Sequence, residues 1–256
     1  MAFQTGQLLH LHIAQYVYGF IFFATLCSYN FYWILSKLAF TKKHGLTDVL
    51  KQELTGLMLL LFAAAGLLYC LYRSALPVNL IITAIILTIV YAVPLLPVRA
   101  LHFTRKAGVL KTVLLAFTWA YVTVFIPIQK SYAALTNADL FVFSRRFLFM
   151  LMLCILFDNR DKDMDKIRGL HSLATDLKPA LLKGLIYIIF AALFISNFLY
   201  ADYGITFYQS MALQVSTVAL LIVYFFSAKK RGYLFYYFIV DGLMLFSALA
   251  TFIAGI

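Results

Sequence analysis

Acidic residues are scarce in this chain: ten Asp and Glu stand in 256 positions, and charged residues of both signs make up only 12%. A soluble domain of that length needs far more charge to cover its surface, so a soluble fold is excluded. Cysteine is equally sparse. Cys27, Cys70 and Cys154 each fall inside an apolar run, which argues against a disulfide framework or a zinc site and leaves them as small core residues. The glycines at 6, 66, 108, 169 and 242 do not assemble into a phosphate-cradling loop of the Walker or dinucleotide type, so ATP-driven transport is not indicated. Among His10, His12, His44, His102 and His171 the closest pair is spaced i, i+2, which puts the two rings on different sides of a helix.

What the chain has instead is apolar sequence, 64% hydrophobic with a mean hydropathy of +0.93. That composition defines an all-α, polytopic membrane bundle, expected as a single transmembrane domain over residues 1–256. Eight apolar stretches have roughly the 20 residues that a hydrocarbon core of about 30 Å demands. They are expected near 8–35, 55–73, 77–97, 110–129, 138–157, 180–200, 205–227 and 233–255. The first is longer than a signal-peptide core and has neither a basic start nor a cleavage site, so it is expected to remain as a span. No soluble domain is expected at either end.

Charge alternates between the connections. Those after spans one, three, five and seven hold 17 of the 21 Lys and Arg, among them Lys37, Lys42, Arg99, Arg105, Lys111, Arg160, Lys162, Lys183 and Arg231. The intervening connections hold only Arg73 and Lys130, with Arg145 and Arg146 in the outer half of the fifth span, from where their side chains are expected to snorkel outward. The positive-inside rule then places the basic connections in the cytoplasm and both termini outside. A net charge of +11 arranged along one membrane face points to anionic headgroups and diphosphates as partners, not to nucleic acid.

The chemistry concentrates at Phe157 to Thr175, which carries four of the ten acids. If the segment continues the preceding helix, Asp158, Asp161 and Asp165, at i, i+3 and i+7, share one face while Asp163 points away. Carboxylates gathered at a helix end repel one another unless a cation joins them. Mg²⁺ suits the task, because it binds through one or two carboxylates plus the oxygens of a phosphorylated substrate. The alternative is a solvated charged loop in which Arg160, Lys162, Lys166 and Arg168 nearly cancel the acids. Asp241, about eight residues into the last span and roughly 12 Å deep, is either a functional intramembrane carboxylate or a hydrogen-bonded helix contact.

The run F-D-N-R-D-x-x-x-D-x-x-x-G-x-x-S-L-A from Phe157 resembles the second aspartate-rich motif of the UbiA superfamily of intramembrane prenyltransferases. A second block resembles that family's third-to-fourth helix region: Tyr91, Pro94, Pro97 and Arg99, then the Gly108 to Lys111 run, Trp119 and Pro127. The resemblance implies a helical bundle around a lipid-open cavity, with loops near 36–54 and 158–180 over its mouth. It implies transfer of an isoprenyl group from a prenyl diphosphate to an aromatic or other lipophilic acceptor, with Mg²⁺. Asp161 and Asp165 become the expected catalytic and metal residues, with Asp158 a further metal ligand and Asn30, Lys37, Tyr91, Arg99 and Lys111 binding substrate.

Two departures bear on that expectation. The family's first motif, approximately N-x-x-x-D-x-x-x-D, survives here as Asn30, with Ile34 and Leu38 where aspartates would fall. Members usually begin one helix earlier, so the first helix is expected to be missing. Either the second motif binds Mg²⁺ alone while basic side chains hold phosphate, or the chain has lost catalysis and serves as a membrane scaffold or a subunit of a membrane complex. Under the first outcome, Tyr29, Phe31, Tyr32 and Trp33 beside Asn30 offer a cation-π surface to the allylic cation, although aromatics also fill membrane cores and belts. An alcohol phosphotransferase is less suitable, since its pattern needs glycine after D-x-x-D and Lys162 stands there.

Overall fold

The computed structural model of the protein describes residues 1–40, 54–92, 108–168, 171–199, 201–229 and 231–256, and every regular element among them is helical. Seven helices are long and apolar enough to cross a membrane, and one shorter apolar helix, Val78–Ala92, ends where the described residues end. The chain is therefore a polytopic helical bundle, with seven full-length spans described where eight were expected. The helices form two compact units, one of residues 13–106 and one of residues 1–12 with 107–256.

In the smaller unit α2 (Gln15–Phe40) packs along α3 (Leu54–Ser74), and α4 (Val78–Ala92) follows. Gly66 makes the α2 and α3 approach possible, since a Cβ there would come within 2.6 Å of the Phe23 ring. Small residues at such crossings let membrane helices close on one another, because lipid supplies no hydrophobic drive to join them.

The first span, expected over 8–35, starts later than that. A short helix α1 (Ala2–Leu8) ends at a kink where His10 takes φ 51, and the spanning helix begins only at Gln15. The reason is polar: Gln4 and Thr5 are buried against the larger unit, where Gln4 donates to Ser247 and Thr251 and Thr5 donates to the Thr123 carbonyl. These bonds hold α1 among helices of the larger unit.

That unit is centred on α5 (Gly108–Ile128) and α6 (Asn137–Arg168), which pack together along their lengths. Ala116, Ala120 and Val124 on α5 are fully buried, as are Met152 and, nearly so, Ile155 and Leu156 on α6. Pro127 is tolerated in the last turn of α5, and Gln129 at φ 57 terminates the helix. Thr136 and Asp139 start α6 as a reciprocal cap, each side chain accepting from the other's backbone N–H. At 32 residues α6 is about 48 Å long, well beyond the hydrocarbon core, so one end must leave it. The remaining helices are α7 (Leu173–Asp176), α8 (Pro179–Ser196), α9 (Phe207–Ser227) and α10 (Gly242–Ile253), with a π-helical turn, Phe235–Val240, leading into α10.

Candidate functional site

Helix α6 runs without a break through the aspartate stretch to Arg168, so residues 158–168 are helix and not the loop expected over 158–180. The spacing therefore acts as a face: Asp158, Asp161 and Asp165 are partly buried, and Asp163 is exposed.

Asp158 is the most enclosed of the three in its bonding. Its Oδ2 accepts the Thr112 hydroxyl at 2.5 Å and the Leu173 backbone N–H at 3.2 Å. Thr112 stands one turn into α5, and its oxygen also accepts from Leu173 N at 3.4 Å. One carboxylate oxygen thus ties together the start of α5, the end of the apolar part of α6 and the start of α7. The joint is close enough to require Gly108, where a Cβ would meet the Ser172 nitrogen at 2.3 Å and the His171 carbonyl carbon at 2.4 Å. Inside the turn, Ser172 N–H donates to the Thr175 hydroxyl at 2.8 Å, and His171 Nδ1 pairs with Asp176 at 2.6 Å. Lys111, one residue before Thr112, and Asp165, two turns along α6, both act on Asp158 through their charge.

Asp161 is turned differently. Both of its oxygens are held by Arg160, Nε to Oδ1 and Nη2 to Oδ2, each at 2.7 Å. The same guanidinium lies 4.9 Å from the centre of the Phe157 ring and 5.3 Å from those of Tyr236 and Tyr237. Asp241 caps the π-helical turn that carries those tyrosines, and Arg160 acts on its charge too. Asp241 thereby joins the aspartate end of α6, a relation that no sequence spacing between helices separated by 80 positions could reveal. Its depth in an apolar span was the available signal.

The other expected substrate residues belong to the smaller unit or fall outside the described parts. Asn30 donates from its side chain to the Leu26 carbonyl of its own helix at 2.8 Å. Tyr91 stacks on Tyr32, ring centres 5.6 Å apart and planes at 17°, which joins α2 to α4. Tyr29, Phe31 and Trp33 are exposed. Lys37 lies on α2 with its side chain, like the whole of Arg99, outside the described parts.

Oxygen ligands suit a hard divalent cation, and Asp161 and Asp165 are one turn apart on a single face. Among the described residues no group of three or more His, Cys, Asp or Glu side chains is gathered as a metal cage.

Compared with known proteins, the chain matches no family model, no curated protein and no solved structure. What the fold defines is a class: a multi-pass helical membrane protein with a carboxylate-rich helix end.

Proposed function

We propose that the chain is an intramembrane prenyltransferase of the UbiA type, moving an isoprenyl group from a prenyl diphosphate to an aromatic or other lipophilic acceptor. The observation that carries this reading is the face of Asp158, Asp161 and Asp165 at the end of α6, with Lys111 acting on Asp158. Asp165 and Asp161 would hold Mg²⁺, whose chemistry is to neutralise charge that develops on a departing diphosphate. Asp158 keeps the α5 and α7 ends in register with that face, and Lys111 adds a cation for phosphate oxygens. The buried Tyr236 ring would exclude water and offer a π-face to the allylic carbon. The positive-inside distribution supports a cytoplasmic aspartate face with both termini outside.

A second reading, a catalytically inactive scaffold or membrane-complex subunit, is favoured by the capture of both Asp161 oxygens by Arg160 and by Ile34 and Leu38 in the first-motif positions. The two separate on Mg²⁺-dependent binding of a non-hydrolysable prenyl diphosphate analogue to the purified protein. Binding that needs Mg²⁺ and is lost in Asp161→Asn and Asp165→Asn supports the transferase. Folded protein that binds no analogue at all leaves the scaffold.

A further inference from the structure

Arg145 and Arg146, expected to snorkel outward, are instead buried, with 9% and 5% of their surface exposed. Their hydrogen-bond partners are all neutral. Arg145 donates to the Leu193 carbonyl and to the Ser196 hydroxyl of α8, and Arg146 Nη2 donates to the Gln4 side-chain oxygen at 2.9 Å and to Thr5 Oγ1 at 3.5 Å. Gln4 is itself held in place by donating to Ser247 and Thr251, so it cannot turn away. Among the described residues no carboxylate lies within 4.0 Å of either guanidinium. Arg146 Nη1 is buried with no hydrogen-bond partner whatever.

Two adjacent cations in a membrane interior are strongly unfavourable unless a counter-charge joins them, and intramembrane arginines usually have one. Space for it exists. Both arginines line a cavity of about 30 Å³, together with Gln4, Ser216, Thr217 and Ser247. Water could satisfy Nη1 there, but it would leave both charges uncompensated. The Ser216 and Thr217 hydroxyls donate to the Ala212 and Leu213 carbonyls of their own helix, which leaves the unpartnered Arg146 Nη1 as a charged donor for a ligand. The cavity is too small for a diphosphate, and it lies about 18 Å along α6 from Asp158 at 1.5 Å per residue. It is therefore independent of the aspartate face.

We infer that this cavity is a binding site for a compact monoanion, either a halide from water or the carboxylate of a membrane amphiphile, held by Arg146 and Arg145. The ion completes the contact between α1, α6, α9 and α10, because its ligand Arg146 is already bonded to Gln4 and Thr5.

The test uses the full chain in nanodiscs of neutral lipid, with the thermal unfolding midpoint as the readout. In one arm sodium isethionate, a bulkier sulfonate, is replaced by sodium chloride at constant ionic strength. In the other, chloride is absent and the nanodiscs carry increasing oleate. A midpoint that rises and saturates in either arm is expected, with the half-saturating concentration at least tenfold higher in Arg146→Gln, and the responsive arm names the source of the anion. Should Arg146→Gln fail to fold, Ser216→Val, which fills the cavity and leaves both arginines, is expected to abolish the response. Wild-type protein with no saturable response in either arm overturns the site, and so does a response that the substitution leaves intact.

Discussion

The hydroxyl of Thr112 donates to Asp158 Oδ2 across 2.5 Å, joining two residues 46 positions apart on different helices. Each is also an acceptor for Leu173 N–H, so the three groups form a closed triangle at the joint between α5, α6 and α7.

Thr112→Val keeps the shape and removes the hydroxyl. Interhelical hydrogen bonds in membranes average about 0.6 kcal/mol and reach about 1.7, and a partly buried charged acceptor belongs near the upper end. The expected loss is therefore roughly 1 to 2 kcal/mol by reversible unfolding in mixed micelles. In a double-mutant cycle with Asp158→Asn most of that loss should vanish, because the partner it depends on is already weakened. Purely additive effects would mean the two side chains do not act through each other.

Alanine should be harmful at Gly108 and helpful at Gly184. Within a helix alanine is ordinarily favoured over glycine by about 1 kcal/mol, and nothing lies within 4 Å of a Cβ at Gly184. At Gly108 the added carbon would strike the backbone at Ser172 and His171, which no rotamer change can relieve, for a net loss of about 1 to 3 kcal/mol. Thermal melts of the two variants side by side decide it; equal shifts in one direction would contradict the close approach.

Arg160 competes with any cation for Asp161. Under the transferase reading, Arg160→Gln should tighten Mg²⁺ binding by roughly three- to tenfold, the equivalent of a half-exposed bidentate ion pair of about 1 kcal/mol. The measurement is a Mg²⁺ titration with the diphosphate analogue present. An unchanged affinity would remove Asp161 from the ligands.

Lys130 and Asp139 form a 2.8 Å pair in which the carboxylate is almost fully buried. Lys130→Met strands that charge and should cost about 3 kcal/mol or more, whereas the double substitution Lys130→Met with Asp139→Asn should recover much of it. Unfolding free energies of the two variants and the parent are the check.

The helices themselves were largely legible, because 20-residue apolar runs have few alternatives in a membrane. The face of Asp158, Asp161 and Asp165 followed from helical spacing once α6 continued past the apolar run. What spacing could not supply was the use each carboxylate makes of its neighbours. Asp158 turns to a threonine on another helix and Asp161 to the arginine beside it, choices set by packing between distant segments. The first span begins at Gln15 and not at residue 8, because hydropathy does not register the break that follows α1, whose Gln4 and Thr5 are held by Ser247, Thr251 and Thr123. Arg145 and Arg146 were misread for a related reason: long side chains can reach water from the outer half of a span, and sequence does not say when neutral partners hold them inside.

The π-helical turn at Phe235–Val240 sets the phase of everything after it. Within it, Tyr236 and Tyr237 face Arg160; beyond it, Ser247 and Thr251 face Gln4. Removing one residue from 235–240 would convert the turn to ordinary α-helix and rotate the later positions by about 100°. One of the two polar clusters would then lose its partner, whichever the helix kept. The final span is thus expected to accept many apolar exchanges along 242–256 and no change of length before them.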